Sequence, residues 1–349
     1  MTWLGWDIGG AHLKGSAIEE DGSVRDVVQI PCPLWKGLDH LRDCLDQAES
    51  RFGVAFSHTA TDNAVTMTGE LVDLFPDRPQ GVASLVDLCA QRWPGRVKFW
   101  AGTKGFLSAD QAKVHWRHVA SANWLATAAL CAQHISDFLL MDMGSTTTDL
   151  LAVSGGKIDP LAIEDADRMI TGELVYTGVA RTPLMALGPK IPFGEIAQAI
   201  AAEFFATTAD VYILTGDLQP DASQYPPADG RTASPDDCAR RLARMVGHDL
   251  VDVGLPEWRE LAEAFMERQL ALIEEAAQGV LLHTPLASQA PVIGAGIGAF
   301  NARRMAARLH RPYRDITDFL SLAPAAQEWG QAAVTASAVA ILAATARKR

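Results

Sequence analysis

The stretch Trp6-Asp7-Ile8-Gly9-Gly10, followed by Lys14, decides how this chain is read. The apolar residues Trp3, Leu4, Trp6 and Ile8 predict a short buried strand, and Leu13 to Ile18 predicts its returning partner. Between them stand a carboxylate and two glycines. An aspartate at a strand end can hold the water shell of a divalent cation. Adjacent glycines let backbone N–H groups approach a phosphate with no side chain in the way. Lys14 adds a compact positive charge. The same turn also serves as a plain hairpin, so its meaning depends on whether it recurs.

It does recur. Phe138-Leu139-Leu140-Met141-Asp142-Met143-Gly144 predicts a second buried strand ending in Asp-x-Gly. Ser145, Thr146, Thr147 and Thr148 follow, and Asp149 to Val153 returns as a strand. Hydroxyls and their backbone N–H groups suit phosphate oxygens, and Asp142 mirrors Asp7 as a metal-side carboxylate. A late segment, Gly294-Ala295-Gly296-Ile297-Gly298, lies between a strand at Pro291 to Ile293 and a helix at Asn301 to Leu309. That placement suits a nucleotide or another phosphate compound. It also matches the dinucleotide fingerprint loosely, without the full βαβ unit and its distant acidic residue.

Other segments carry weaker signals. Ala64 to Leu71 reads as a strand ending in the polar turn Thr68-Gly69-Glu70, a place where ligands gather in open α/β sheets, or where Thr68 or Glu70 caps a helix. Asn123 opens an alanine-rich helix and suits either a ligand or a helix contact. Arg181, beside the turn Thr182-Pro183-Leu184, suits an anion clamp or a surface ion pair. Helices are expected at 38–52, 82–92, 196–205, 236–247, 258–279 and 330–348, and strands at 24–30, 97–100 and 211–214. Gln219 to Pro235, rich in Pro, Asp, Ser and Gly, reads as a long loop of functional interest.

Composition bounds the rest. At 349 residues, with 48% hydrophobic and 21% charged residues, the chain is folded and suits two domains. Its net charge of -12 argues against nucleic acid or an anionic membrane as a non-specific partner, but not against an anionic small ligand. No apolar run reaches the roughly 18 residues of a membrane span; the stretch from Ala332 to Ala346 is too short and carries Thr and Ser. No secretory signal is expected at the N-terminus. The five cysteines form no CxxC pair, so a reducing cytoplasm is the expected compartment.

Taken together, Asp7-Ile8-Gly9-Gly10 with Lys14, Asp142 to Asp149, and Gly294 to Gly298 resemble the phosphate-1, phosphate-2 and adenosine segments of the actin/sugar kinase/Hsp70 fold. The spelling Met143-Gly144-Ser145-Thr146-Thr147-Thr148-Asp149, with Met67-Thr68-Gly69-Glu70-Leu71, resembles the hydantoinase A/oxoprolinase-like branch. Within it the chain is similar to proteins of tetrahydromethanopterin-linked one-carbon pathways, and the likeness runs over nearly the whole chain. It implies an α/β, two-domain actin-like ATPase (ribonuclease H-like) fold with a central ligand cleft. The domains would be 1–135 and 136–349, with the last helix, 330–349, packing back on the first.

The resemblance also implies a methanofuran-forming transferase. It would move an aminomethylfuran-methyl group from its diphosphate to the phenol of γ-glutamyltyramine, or of a tyrosine analogue, releasing diphosphate. Gly9, Gly10, Lys14 and Ser145 to Thr148 would hold the diphosphate, with Gly144, Gly294, Gly296 and Gly298 in the phosphate-binding segments. Asp7 and Asp142 would hold Mg²⁺, and Asn123 and Arg181 would face substrate. Glu70 is the first candidate for the base that accepts the phenol proton, and Asp149 the second. The rival is an ATP-using kinase or hydantoinase-type enzyme, for which the same segments would cradle ATP. A second rival is a nucleotide-binding protein without catalysis, and a homo-oligomer is an expected assembly.

Overall fold

The computed structural model describes residues 2–53, 61–222, 224 and 226–348. The chain builds β1 (Trp3–Ile8), β2 (His12–Ile18), β3 (Val24–Pro31), α1 (Leu38–Phe52), β4 (Asp62–Met67), α2 (Arg78–Arg92), β5 (Val97–Trp100) and β6 (Phe106–Leu107). Then come α3 (Ala109–Val114), α4 (Trp116–Val119), α5 (Asn123–Ala132), β7 (Phe138–Met143), β8 (Thr148–Val153), α6 (Asp165–Thr171) and β9 (Leu174–Val175). The chain ends with β10 (Lys190–Phe193), β11 (Ile196–Ala199), α7 (Thr208–Thr215), α8 (Pro235–Met245), α9 (Leu255–His283), β12 (Val292–Ala295), α10 (Ala299–Arg308), β13 (Tyr313–Asp315) and α11 (Val334–Lys348).

The two Asp-x-Gly hairpins seed two sheets of the same plan. In the first, of order β3-β2-β1-β4-β5-β6, β1 to β3 form an antiparallel meander and β4 and β5 add parallel on the β1 side. In the second, of order β13-β12-β7-β8-β9, β7 to β9 form the meander and β12 and β13 add parallel on the β7 side. Parallel strands require crossover connections. Helices α1, α2 and α10 lie in those crossovers and cover the sheets.

Both central strands are buried on both faces, which is why β1 and β7 read as near-continuous apolar runs. On β7, Phe138 and Leu140 face a core shared with Trp3 and Ile18 of the first sheet and with helices α5 and α11. Leu139, Met141 and Met143 face α7, α8 and α9. On β1, Leu4, Trp6 and Ile8 pack against α1 and α2. Alanine-rich α11 thus lies between the two sheets. It packs on β1, β2 and β4, and the Ser16 and Ser337 hydroxyls meet at 2.8 Å. No helix among the described residues is long and apolar enough to cross a membrane.

Two expectations fail. The segment expected as a helix at 196–205 begins instead with β11, which pairs with β10 across a turn holding Gly194 at φ +59°. Its alanines favour a helix, but local strand pairing overrides that preference. The run Val211-Tyr212-Ile213-Leu214, expected as a strand, lies inside helix α7. A short apolar run cannot by itself distinguish a strand from a buried helix. The deciding signals flank it: a Thr207/Asp210 capping box at one end and Gly216 in the left-handed conformation at the other. The long segment between α7 and α8 is loop through Ser234, with residues 223 and 225 outside the described residues.

Candidate active site

The two hairpin turns open into one cavity of about 320 Å³ between the sheets, within the size range of small-molecule sites. Gly9, Gly10, Ala11, His12 and Lys14 line it from the first hairpin, and Gly144, Ser145, Thr146 and Thr147 from the second. Each turn is closed by its own glycine: Gly9 N–H donates to His12 O (3.0 Å) and Gly144 N–H to Thr147 O (2.9 Å). Those two N–H groups are therefore committed to the turns. Among the described residues, the N–H groups of Gly10, Ala11, Ser145, Thr146 and Thr147 have no protein acceptor. Unpaired backbone donors on a cavity wall are anion-binding groups.

The second turn owes its shape to the segment from Gly178 to Arg181. Val179 N–H donates to Gly144 O (3.1 Å), and the N–H groups of Ala180 and Arg181 donate to Ser145 O (3.1 and 2.9 Å). With its carbonyls held from behind, the turn keeps its remaining N–H groups on the cavity side. Gly178 makes this contact possible, since a Cβ there would lie 2.6 Å from Gly144 O, Ser145 C and Thr146 N.

The charges differ between the hairpins because the residue opposite each aspartate differs. In the first, Asp7 pairs in register with Lys14, and their charged groups lie 3.8 Å apart. Burial still raises the Asp7 carboxyl above its ordinary range against the pull of Lys14. In the second, Asp142 stands opposite Asp149. Burial first, then the Asp149 charge, push Asp142 up to about 7. Asp149 is held by Arg168 at 2.8 Å, and the Arg168 guanidinium lies 3.7 Å from the Trp124 ring centre. Burial, Lys14 and Arg181 press His12 down to about 4, so its imidazole is neutral near pH 7.

The structure brings together Asp7, Gly9, Gly10, Lys14, Asn123, Asp142, Gly144, Ser145, Thr146, Thr147, Asp149 and Arg181 on the wall of this one cavity. Other candidates lie elsewhere. Thr148 is fully buried, and its hydroxyl donates to Thr177 O (2.7 Å), away from the cavity. Gly294, Gly296 and Gly298 do not line the cavity; Ile297 does. They are packing glycines: a Cβ at Gly294 would meet Ala302 and Tyr313, one at Gly296 would lie 2.4 Å from Met143 O, and one at Gly298 would strike Val179 and Met143. Glu70, 1% exposed, sits behind the wall and accepts a hydrogen bond from Ser121, which does line it. Arg168, Asp165 and Ser121 are wall residues the sequence reading did not single out. No local pattern marks them, because they reach the site from α6 and from the connection into α5.

Among the described residues, no group of three or more His, Cys, Asp or Glu side chains converges as a ready metal cage. Asp7 Oδ1 is nevertheless buried without a protein partner. An orphaned carboxylate oxygen beside anion-binding N–H groups fits a cation that takes its remaining ligands from water and phosphate.

Known proteins resemble this chain in sequence and in fold. A (4-{4-[2-(gamma-L-glutamylamino)ethyl]phenoxymethyl}furan-2-yl)methanamine synthase from Methanocaldococcus jannaschii is 32% identical over 78% of this chain and 79% of its own. A protein of the same name from Methanococcus vannielii is 30% identical over 41% of this chain and 64% of its own. A nucleotide-free acetone carboxylase, whose carboxylation is described as ATP-dependent, superposes with a TM-score of 0.60 at 10% identity, over 97% of this chain and 70% of that one. The two-sheet α/β architecture is the actin-like ATPase fold that the sequence resemblance implied. The model of the hydantoinase/oxoprolinase family matches residues 62–324, and with the M. jannaschii relative this places the chain in the hydantoinase/oxoprolinase family.

Proposed function

We propose that this chain catalyses an ether-forming alkyl transfer in the biosynthesis of a methanofuran-type cofactor. An aminomethylfuran-methyl group passes from its diphosphate to the phenol oxygen of γ-glutamyltyramine or a tyrosine analogue. The relatives' name supports the product: a phenoxymethyl-furan methanamine is what this transfer yields. The observation that carries the reading is the single cavity into which two distant turns present acceptor-free N–H groups beside Lys14.

The chemistry is a displacement at carbon. The bond between the furan-bearing methylene and the diphosphate oxygen breaks, and its electron pair leaves with the diphosphate. The phenol oxygen bonds to that methylene carbon and gives up its proton. The furan ring stabilises positive charge on the methylene, so bond cleavage can run ahead of attack. The protein's task is then to hold charge on the departing diphosphate and to aim the phenol. The N–H groups of Gly10, Ala11, Ser145, Thr146 and Thr147 and the Lys14 ammonium meet the leaving group. Asp7 and Asp142 are the residues that would hold Mg²⁺, which supplies further neutralisation of the diphosphate.

The test is direct. Purified protein, synthetic aminomethylfuran-methyl diphosphate, γ-glutamyltyramine and Mg²⁺ are incubated, and ether and diphosphate are quantified. One diphosphate per ether is the expected result. No ether from tyramine-type or tyrosine-type phenols, together with ADP formed from ATP, overturns the reading in favour of an ATP-using enzyme.

A further inference from the structure

We propose that Ser121 accepts the phenol proton from the reacting substrate and passes it to Glu70, which lies buried behind it. This rests on the ether-forming reading above and gives Glu70, its first candidate base, a route to a cavity that Glu70 does not line.

The geometry is specific. Ser121 lines the cavity, and its Oγ donates to Glu70 Oε1 at 2.9 Å. The other Glu70 oxygen, Oε2, is buried with no protein partner. Glu70 is 1% exposed and does not reach the cavity itself, so any proton it receives from there passes through the serine hydroxyl. Ser121 is held at φ +50°, a left-handed conformation that a non-glycine residue adopts at a cost. Both neighbours pin it there: Ala120 bridges to Met67 at the end of β4, and Ala122 O accepts from Trp100 Nε1 at 3.1 Å. Strain maintained from both sides at a cavity wall points to a role for the side chain placed there.

The surrounding charges fit a proton acceptor. Arg78 and Asp165 are the charged groups felt at Glu70; the first favours its carboxylate and the second disfavours it. Asp165 Oδ2 lies 3.5 Å from Ser121 Oγ but is tied to Arg78 at 2.7 Å. Burial dominates and moves Glu70 up to about 7, which suits a base that must take and later release a proton near neutrality. In the step, the phenol O–H bond breaks toward Ser121 Oγ as the Ser121 proton moves to Glu70. Ser121 ends as a hydroxyl and Glu70 as a neutral acid, and the same path returns the proton to water or to the departing diphosphate.

The experiment compares wild type, Ser121→Gly and Glu70→Gln in the ether-forming assay. Glycine accepts φ +50° without strain, so S121G removes the hydroxyl and keeps the backbone. Both variants are expected to lose about 100-fold in kcat, with KM for the diphosphate donor within about twofold of wild type. The acid limb of the wild-type kcat profile near pH 7 disappears in E70Q. A ring-fluorinated tyramine acceptor, whose phenol ionises unaided, restores both variants to within about tenfold of wild type. A merely structural Ser121 would not produce that rescue. Wild-type kcat in S121G, or no rescue by the fluorinated acceptor, overturns the relay while leaving the transferase reading intact. Absence of ether with the wild type overturns the transferase reading instead.

Discussion

The two Asp-x-Gly hairpins are built to one topology but differ in charge and in support. Opposite Asp7 stands a lysine; opposite Asp142 stands a second aspartate. The first hairpin carries its own countercharge. The second has Arg168, brought from α6, to hold one of its two carboxylates. The turns are backed differently as well. Behind Gly10 lies the Val72 side chain, at 2.7 Å from a built Cβ, whereas behind the second turn lies the Gly178 segment, pressed against its backbone. A duplicated frame thus carries one corner with its own lysine countercharge and one corner with two carboxylates and a single arginine. In the proposed reaction the substrate diphosphate and a metal bind between the two corners.

The largest expected effect is at the lysine corner. Lys14→Ala removes the countercharge of Asp7 and the one side-chain cation placed directly across from it, and turnover should fall about 1,000-fold in the ether-forming assay, a size typical of a lost charge-stabilising group. Near-normal turnover would remove Lys14 from the site. Next comes the difference in backing. Gly178→Ala forces the second turn to move and should cost about 3 kcal/mol in denaturant unfolding. Gly10→Ala meets a side chain that can shift and should cost about 1 kcal/mol. Equal costs would show that the two turns are supported alike.

The unequal charges give the third prediction. Asp142 at about 7 is a carboxyl whose folded-state value lies above its unfolded value, and Glu70 shifts the same way. The folded protein then holds protons that the unfolded chain has released. The associated stability is present below about pH 4 and is lost as pH rises through about 7. Metal-free wild type should therefore melt lower at about pH 8 than at about pH 5.5, and Asp142→Asn should flatten that dependence and gain about 2 kcal/mol at the higher pH. Asp7→Asn should gain in the same direction but by less, because the neighbouring Lys14 already favours the Asp7 carboxylate. The smallest effect isolates backbone strain: Ser121→Gly should be more stable than Ser121→Ala by about 1 kcal/mol, since both lack the hydroxyl and only alanine is strained at φ +50°.

Much of this was legible in the residues. The strands β1, β2, β7 and β8 announce themselves as apolar runs broken by Asp and Gly, and α1 falls at 38–52 as its periodicity predicts. The stretches at 196–205 and 211–214 were misread because short apolar or alanine-rich segments take their conformation from partners and caps. The late glycines illustrate another limit. Their alternating pattern suits a phosphate loop, yet Gly296 exists because Met143 O and Asp142 Oδ1 lie where its side chain would be. Spacing alone does not tell a glycine that admits a ligand from one that admits a neighbouring strand.

The sequence by itself determined that the chain holds two copies of a strand–Asp-x-Gly–strand unit, because side-chain alternation and glycine turns are local effects written in consecutive residues. Only the tertiary structure decided that both turns face one cavity, that Arg168 and Gly178 serve the second, and that Glu70 lies behind Ser121. Those relations depend on where α6, the Gly178 segment and the connection into α5 pack in space. Packing between distant segments is set by the burial of the whole core, not by the spelling of any one stretch.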